Sequence, residues 1–336
     1  MPLPEGPRSS LAVVYRRYGP PLEAIEIERQ PVPPLEPDQV LVAMRRAMIH
    51  PADLNTIEGT YGIPRPPPAV GGGEGVGVIV EVGPGVEAAR VGQIVRPPPG
   101  AGVWREFFCA AAAEVRPLPE GLTLDQAAGL TVNPSTAWRM LEDFVRLEPG
   151  DWIAQNAANS TVGRCVIQIA RHRGVRTLNL VRRPGLETEL EAIGADAVLA
   201  EGAAFARRAK EIAGGRPIRL ALNAVGGESA IHLSRALSDG GTLVTYGGMS
   251  RQPFTVGAGP MIFKDLRYRG FWVSRWFREA PQERADAMLE ELAAWMRAGR
   301  LKIPVARHFP LAEARAAVEA ALSSGRSGKA MFAIGE

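Results

Sequence analysis

The spacing of hydrophobic residues changes at about Gly129. Before that point, short apolar runs alternate with loops rich in proline and glycine, a pattern that is typical of β-strands. It predicts strands at residues 11–15, 22–27, 40–48 and 74–82, with a short helix near residues 52–57. Beyond that point, apolar runs of strand length alternate with runs at helical spacing, which is typical of a parallel sheet whose strands are joined by helices.

The clearest unit of this second pattern is the stretch 151–183, which predicts a strand, a turn, a helix and a second strand. The strands fall at residues 151–157 and 176–181, and the turn between strand and helix is a run of small residues, 158–161. Such a turn presents free backbone N–H groups and the positive end of a helix, where a pyrophosphate can bind. The stretch is therefore interpreted as a dinucleotide-binding βαβ unit.

Two features of this unit bear on its ligand. Of the glycines in the usual dinucleotide fingerprint only Gly163 is present, so an ordinary βαβ crossover without a ligand is the alternative. Where an NAD site carries an acidic residue for the ribose diol, this chain has Arg182 and Arg183. Two guanidiniums at the carboxyl end of a strand suit a dianionic 2′-phosphate, which favours NADPH over NADH. Solvated surface arginines are the alternative.

The rest of the chain continues the alternation. It predicts helices at 187–193, 203–212 and 229–237, strands at 197–199, 218–224, 242–246 and 268–272, then helices at 281–296 and 311–322 and a strand at 330–334. Counting the two strands of the βαβ unit, six strands with crossovers predict a doubly wound parallel sheet. The predicted domains are a mostly-β domain at 1–128, a dinucleotide-binding domain at 129–273 and a return segment at 274–336.

Composition places the chain among ordinary globular proteins. Of its 336 residues 46% are hydrophobic and 22% are charged, and the formal charge of +3 is spread along the chain, so no nucleic-acid partner is expected. No apolar run is long enough for a membrane span, and no signal peptide is visible. We therefore expect a bacterial cytoplasmic protein, although a processed mitochondrial protein would look the same.

Eight stretches of sequence resemble one known family, in the order that the family has them. They are DLNTIEGTYG (53–62), PAVGGGEGVG (68–77), GVWRE (102–106), VNPSTAWRML (132–141), QNAANSTVGRCVIQIA (155–170), LALNAVGG (220–227), GGTLVTYGGMS (240–250) and FKDLRYRGFWVSRW (263–276). The chain resembles the zinc-free medium-chain dehydrogenases/reductases, and more narrowly the mitochondrial-type trans-2-enoyl thioester reductases. This implies an α/β fold, with a GroES-like mostly-β catalytic domain and a Rossmann domain.

The resemblance also implies roles for particular residues. It implies NADPH contacts from Asn133, Asn159, Ser160, Thr161, Val162, Arg182, Arg183, Tyr246, Gly247, Gly248, Met249, Phe271, Trp272, Val273 and Lys329. It implies Tyr61 as the residue that donates a proton. The chain departs from the family at His50 and Gly73, where Asn is usual.

The expected reaction is the NADPH-dependent reduction of the 2,3 double bond of trans-2-enoyl thioesters in fatty acid metabolism. It needs a hydride at C3 and a proton at C2, and the proton needs a donor within hydrogen-bond reach. Tyr61 suits this role because Gly59 and Gly62 flank it and allow the loop to place its ring; a tyrosine that only packs on a loop is the alternative. The substrate would be bound to coenzyme A or to acyl carrier protein, and the family implies a homodimer.

Three other functions remain as alternatives. A zinc alcohol dehydrogenase would need Cys and His ligands, but residues 71–74 contain no His and no cysteine precedes Cys109, so no metal is expected. An NADPH:quinone oxidoreductase, or another reductase of activated alkenes, shares the fold and cofactor but has no need of Tyr61. A non-catalytic NADPH-binding protein is the most distant alternative.

Overall fold

The computed structural model describes residues 8–325 and 328–335. Contacts between residues divide the chain into two compact units. The first contains the chain up to Thr131, with Leu289–Arg297 and the part from Ile303 onward; the second contains Val132–Met288 and Ala298–Lys302. The domain bounds 1–128, 129–273 and 274–336 stay a prediction. No helix in the described ranges is both long and apolar enough to span a bilayer.

The strands are β1 Ser9–Tyr15, β2 Ile25–Pro31, β3 Gln39–Met48, β4 Ala69–Val70, β5 Gly75–Val82, β6 Ile94–Arg96, β7 Phe107–Ala111, β8 Arg116–Pro117, β9 Trp152–Gln155, β10 Arg176–Val181, β11 Ala197–Ala200, β12 Ile218–Asn223, β13 Thr242–Thr245, β14 Arg267–Gly270, β15 Val305–Phe309 and β16 Lys329–Ala333. The α-helices are α1 Pro21–Ala24, α2 Pro51–Glu58, α3 Leu124–Gly129, α4 Asn133–Met140, α5 Thr161–His172, α6 Glu187–Ala192, α7 Phe205–Ile212, α8 Gly227–Ala236, α9 Ala258–Phe263, α10 Val273–Glu279, α11 Gln282–Arg297 and α12 Ala314–Leu322. Short 3₁₀ turns lie at Ala88–Arg90 and Leu311–Glu313.

The first unit is built on two sheets, as the β-rich pattern predicts. One has the strand order β15-β16-β3-β5-β6-β8, with β7 also paired to β3, and the other has the order β2-β1-β4. β3 has long buried runs because it lies inside the larger sheet. Trp104 is fully buried, and a Cβ atom at Gly71 or Gly72 would lie within 2.4 Å of its ring. Glycine is therefore required at both positions for the indole to pack against the backbone.

One predicted element of this unit is wrong. Residues 22–27 were expected to form a strand, but the chain forms the short helix α1 and then β2. Proline at the first position of a helix lacks only an N–H group that would have no partner there, so Pro21 favours a helical start. The antiparallel pairing begins only at Ile25, which lies opposite Tyr15.

The second unit confirms the predicted doubly wound sheet. Its six strands are all parallel and have the order β11-β10-β9-β12-β13-β14. The first strand along the chain, β9, lies between β10 and β12, so the connections run to opposite sides from this point. In such sheets ligands bind off the carboxyl ends of the strands, at the place where the strand order reverses. The carboxyl ends of β9 and β12 are therefore the place to look for a cofactor site.

Candidate functional site

The turn between β9 and α5 has the local structure of an anion-binding turn. Ser160 is the N-cap of α5, and its side chain accepts a hydrogen bond of 3.1 Å from the Gly163 N–H group. The first residues of the helix, Thr161 and Val162, are half-buried, and their N–H groups lie at the positive end of a twelve-residue helix. Ala157 has a positive φ of 47°, a conformation that glycine adopts more readily than other residues. These features favour a phosphate ligand at this turn.

Gly163 is required by close packing between helix and turn. A Cβ atom at this position would lie 2.6 Å from the Ala158 carbonyl oxygen and 2.7 Å from that of Ala157. We expect Gly163→Ala to lower the free energy of unfolding by about 1–3 kcal/mol, because the turn backbone must move. Urea denaturation without cofactor measures this. Gly270→Ala, where no atom lies within 4 Å of the added Cβ, is the matched control; equal effects would contradict the packing argument.

A buried polar network joins β9 to β12 at the reversal of strand order. The Asn156 side chain donates to the Asn223 side chain over 2.8 Å and accepts from the Ala224 N–H group over 2.7 Å. The Asn223 carbonyl oxygen of the side chain also accepts from the N–H groups of Val225 and Gly226. These hydrogen bonds hold the glycine-containing loop after β12 in one conformation. The loop is thereby preorganised as a wall of the site.

Five buried side-chain polar atoms of this unit have no partner of normal hydrogen-bond geometry among the described residues. Two of them, the Tyr246 hydroxyl and the Asn133 side-chain nitrogen, belong to predicted cofactor contacts, and the other three belong to Ser135, Gln155 and His232. Burial raises the pKa of Tyr246 far above its usual range, while the nearby Ser160 hydroxyl acts in the opposite direction. Buried groups of this kind normally have a partner, so they suit a polar ligand such as a dinucleotide.

The remaining predicted contacts of the second unit lie where its strands end. Gly247, Gly248 and Met249 follow β13, and the Met249 N–H group donates to the Ala224 carbonyl oxygen over 3.0 Å. A Cβ atom at Gly247 would lie 2.9 Å from the same carbonyl oxygen. The Met249 side chain is 59% exposed, so it remains accessible to a ligand. Asn159 lies in the turn before α5, where its carbonyl oxygen accepts a 3.1 Å hydrogen bond from the Arg164 side chain.

Three further predicted contacts follow β14, and an arginine pair follows β10. Phe271 packs edge-to-face on Phe144 and Trp272 lies under the Arg278 guanidinium, while Val273 is buried at the start of α10. Arg182 and Arg183 are exposed just beyond β10. In the part of the chain that the structure describes, neither of their guanidiniums has an ion pair or hydrogen bond. The pair is therefore available for an anionic ligand, and these residues together fit a phosphorylated dinucleotide.

The first unit contains a buried chain of ionisable side chains that the sequence did not predict. The Glu74 carboxylate accepts from the Thr131 hydroxyl over 2.8 Å and contacts His50 Nε2 over 2.6 Å. On the other side of the ring, His50 Nδ1 lies 3.1 Å from Lys329 Nζ, which also donates to the Ile49 carbonyl oxygen over 3.3 Å. His50, Glu74 and Lys329 are all at least nine-tenths buried. Lys329 is thus held at a fixed position.

The chemistry of these groups fixes the hydrogen bonds of the ring. A lysine ammonium can only donate, so His50 Nδ1 accepts from Lys329 and the Nε2–H group donates to Glu74. Asp53 lies against the same groups and accepts a 2.7 Å hydrogen bond from the His50 N–H group. Burial raises the pKa of Asp53, and the nearby His50 and Lys329 oppose that rise. Contacts at both ring nitrogens thus hold His50 in a fixed orientation between Glu74 and Lys329.

Tyr61 lies in the same unit, on the loop after α2. The helix ends at Gly59, which has a φ of 80°, and the N–H groups of Thr60 and Tyr61 both donate to the Asn55 carbonyl oxygen. A Cβ atom at Gly59 would lie 2.8 Å from the Tyr18 ring, so this ring packs directly on the loop backbone. Tyr61 is half-buried. The loop therefore presents the tyrosine from an ordered backbone.

The side chains of the described residues offer no candidate metal site. Within residues 8–325 and 328–335, no group of three His, Cys, Asp or Glu side chains could hold a metal ion. His50 instead contacts both Glu74 and Lys329. The absence of zinc in the protein itself stays a prediction.

Comparison with known proteins identifies the family. Residues 36–120 match the alcohol dehydrogenase GroES-like domain, and residues 193–330 match the zinc-binding dehydrogenase family. The mitochondrial enoyl-[acyl-carrier-protein] reductase of Caenorhabditis elegans is 44% identical over 302 residues, which are 88% of this chain and 86% of the relative. The matches confirm the predicted GroES-like domain and the medium-chain reductase fold.

Two of the similar solved structures contain 2-enoyl thioester reductases. The mitochondrial 2-enoyl thioester reductase Etr1p/Etr2p heterodimer from Candida tropicalis has a TM-score of 0.86 and 30% identity, over 97% of this chain and all of that one. The complex of Etr1p with NADP and crotonyl-CoA has a TM-score of 0.86 and 29% identity, with the same coverage.

The names of these relatives also bear on the predicted location. They are mitochondrial proteins, which contradicts the expected bacterial cytoplasm and agrees with the organellar alternative. Identity of about 40% along nearly the whole chain, together with the shared fold, shows the family. The chain belongs to the mitochondrial-type enoyl thioester reductases, within the medium-chain dehydrogenases/reductases.

Proposed function

We propose that this protein reduces the 2,3 double bond of trans-2-enoyl thioesters with NADPH, as a step of fatty acid metabolism. The observation that carries the proposal is the cofactor cradle of the second unit. Its helix N-terminus at Ser160 and its buried Tyr246 hydroxyl suit a pyrophosphate, and its exposed pair Arg182 and Arg183 suits a 2′-phosphate. Relatives of this chain are named enoyl-[acyl-carrier-protein] reductases, and Etr1p binds NADP and crotonyl-CoA.

The protein's own groups would supply binding and the proton. NADPH, when bound, supplies a hydride to C3 of the substrate. Tyr61 would donate a proton to C2, because the ordered loop after α2 presents its side chain from a fixed backbone. Lys329 would contact the cofactor from β16, held there by His50 and the Ile49 carbonyl oxygen. The thioester would be carried by coenzyme A or acyl carrier protein, and the active form would be a homodimer.

Cofactor oxidation tests this function directly. Purified protein is mixed with NADPH and crotonyl-CoA, and the loss of NADPH absorbance is followed beside matched reactions with NADH and with a simple quinone. We expect saturable, enoyl-dependent oxidation that favours NADPH. Quinone turnover without enoyl turnover would instead assign an NADPH:quinone oxidoreductase. No turnover with either acceptor, together with tight NADPH binding, would indicate a non-catalytic NADPH-binding protein.

A further inference from the structure

The first unit has a positively charged pocket that the proposed reaction does not use. It has a volume of about 430 Å³ and lies where β1 and β2 meet the proline-rich loops. Its lining includes Arg65, Arg105, Arg16 and Glu28. Glu28 is already bound, since it accepts from Arg16 over 2.7 Å. Arg65 and Arg105 are the cations of the pocket that lack such a partner.

Neither of these two guanidiniums forms a direct ion pair within the described ranges, and the charge of Asp53 only partly offsets the burial of Arg65. Among the described residues, no carboxylate lies within 4 Å of Arg65 or Arg105. The Arg65 guanidinium has no hydrogen bond there, and the buried Arg105 Nε has no acceptor. Within the described part of the chain, Arg105 donates only to the Ala101 carbonyl oxygen, and its guanidinium packs over the Phe108 ring, 5.0 Å from the centroid.

Holding two partly buried guanidiniums close together costs free energy unless an anion binds between them. Burial and then the positive charge of Arg65 lower the pKa of Arg105 to about 10, and burial likewise lowers the pKa of Arg65. Both residues stay protonated near neutral pH, so two partly desolvated like charges face one pocket. Guanidiniums bind phosphate through paired N–H groups, and a phosphate between them would neutralise both.

Arg65 also connects this pocket to the proposed catalytic loop. It follows Tyr61 by four residues, a span of at most about 14 Å along the backbone. The Tyr15 hydroxyl donates to the Arg65 carbonyl oxygen over 2.8 Å, which ties the loop to β1. A pantetheine arm can span this distance between a thioester near Tyr61 and a phosphate at Arg65.

We propose that Arg65 and Arg105 bind the 4′-phosphate of the phosphopantetheine arm of the thioester substrate. This group is common to coenzyme A and acyl carrier protein, so the site would recognise the carrier and not the acyl chain. The inference rests on the proposed enoyl thioester reductase function. In this proposal Arg65 and Arg105 contribute to substrate binding, and they are not among the residues that bind the cofactor.

The test compares crotonyl-phosphopantetheine with crotonyl-pantetheine, which differ only in the phosphate. We expect wild-type kcat/KM to be about tenfold or more higher for the phosphorylated substrate, as charge-assisted hydrogen bonds require. Arg65→Gln and Arg105→Gln should remove this preference and leave kcat/KM for crotonyl-pantetheine within about twofold. Crotonyl-CoA and crotonyl-acyl carrier protein then show which natural carrier loses efficiency in the variants.

The control variant is Arg29→Gln, which removes an equal charge from β2, outside the pocket, and should keep the phosphate preference. If Arg105→Gln does not fold, Arg65→Gln decides, because its guanidinium has no hydrogen bond to lose among the described residues. The phosphate site would be overturned if the wild type had equal kcat/KM for the two substrates, or if the variants lost kcat/KM equally for both. Neither result would affect the proposed reductase function. Absence of any enoyl reduction in the wild type would instead overturn the proposed function.

Discussion

Replacing Tyr61 with phenylalanine is expected to cut turnover of crotonyl-CoA by about tenfold or more while NADPH affinity is kept. The reason is that a positioned proton donor typically contributes about 10²–10⁴-fold to a rate, and phenylalanine keeps the ring but removes the donor. Steady-state kinetics gives kcat, and fluorescence titration gives the Kd for NADPH.

Tyr18→Phe is the matched control for this experiment. Tyr18 packs its ring on the backbone at Gly59 and lies against the same loop, but it is 39% exposed and stacks on Tyr15. Losing its hydroxyl leaves that packing intact, so turnover should stay near the wild-type value. Near-normal turnover of Tyr61→Phe would remove the tyrosine from the mechanism and favour the quinone oxidoreductase alternative.

The second large effect is expected at the arginine pair after β10. In the double variant Arg182→Ala, Arg183→Ala, the preference for NADPH over NADH should fall by about 10²-fold or more. The reason is that a charge-assisted hydrogen bond to phosphate is lost from each side chain, whereas NADH has no 2′-phosphate to lose. The ratio of kcat/KM for the two cofactors measures the change, and kcat/KM for NADH should stay nearly constant.

An adjacent arginine pair elsewhere in the same unit serves as the control. Arg207 and Arg208 are exposed on α7, and Arg207 pairs with Glu211 over 2.8 Å. Replacing both with alanine removes the same charge and should leave the cofactor preference unchanged. Equal losses in the two double variants would mean that net charge, and not a local phosphate site, sets the preference. Added salt should weaken the NADPH preference of the wild type, because exposed charges are screened.

The sequence predicted the second unit well because its pattern is local. Each strand and helix there has its own hydrophobic period, and the rule that crossovers are right-handed then limits how consecutive strands can be arranged. The parallel sheet and the glycine loops at the carboxyl ends of its strands follow from that pattern. The first unit was harder, because its short strands pair over long separations. β15 was not predicted, since Val305–Phe309 is half exposed and follows a proline.

Prediction of the site residues was limited in the same way, to features that are local in the sequence. The arginine pair and the turn before α5 could be found because each lies within a few residues of a predicted strand. The buried chain of Glu74, His50 and Lys329 could not, since its members are separated by 24 and 279 positions. Its only signal was a histidine where the family usually has asparagine. The pocket at Arg65 and Arg105 was not predicted: Arg105 lies in the stretch 102–106 that resembles the family, but nothing in the sequence places it near Arg65.

The position of β16 has a consequence for the order in which the protein is synthesised. This strand lies inside the larger sheet, parallel to β15 and antiparallel to β3, with Met331 opposite Met48. A ribosome makes β3 early and β16 late, so the first sheet lacks an internal strand until the chain beyond residue 328 has emerged. All the strands of the second unit have left the ribosome by then, and that unit can fold earlier, against the usual order from the N-terminus. Lys329 reaches His50 only after β16 has joined the larger sheet.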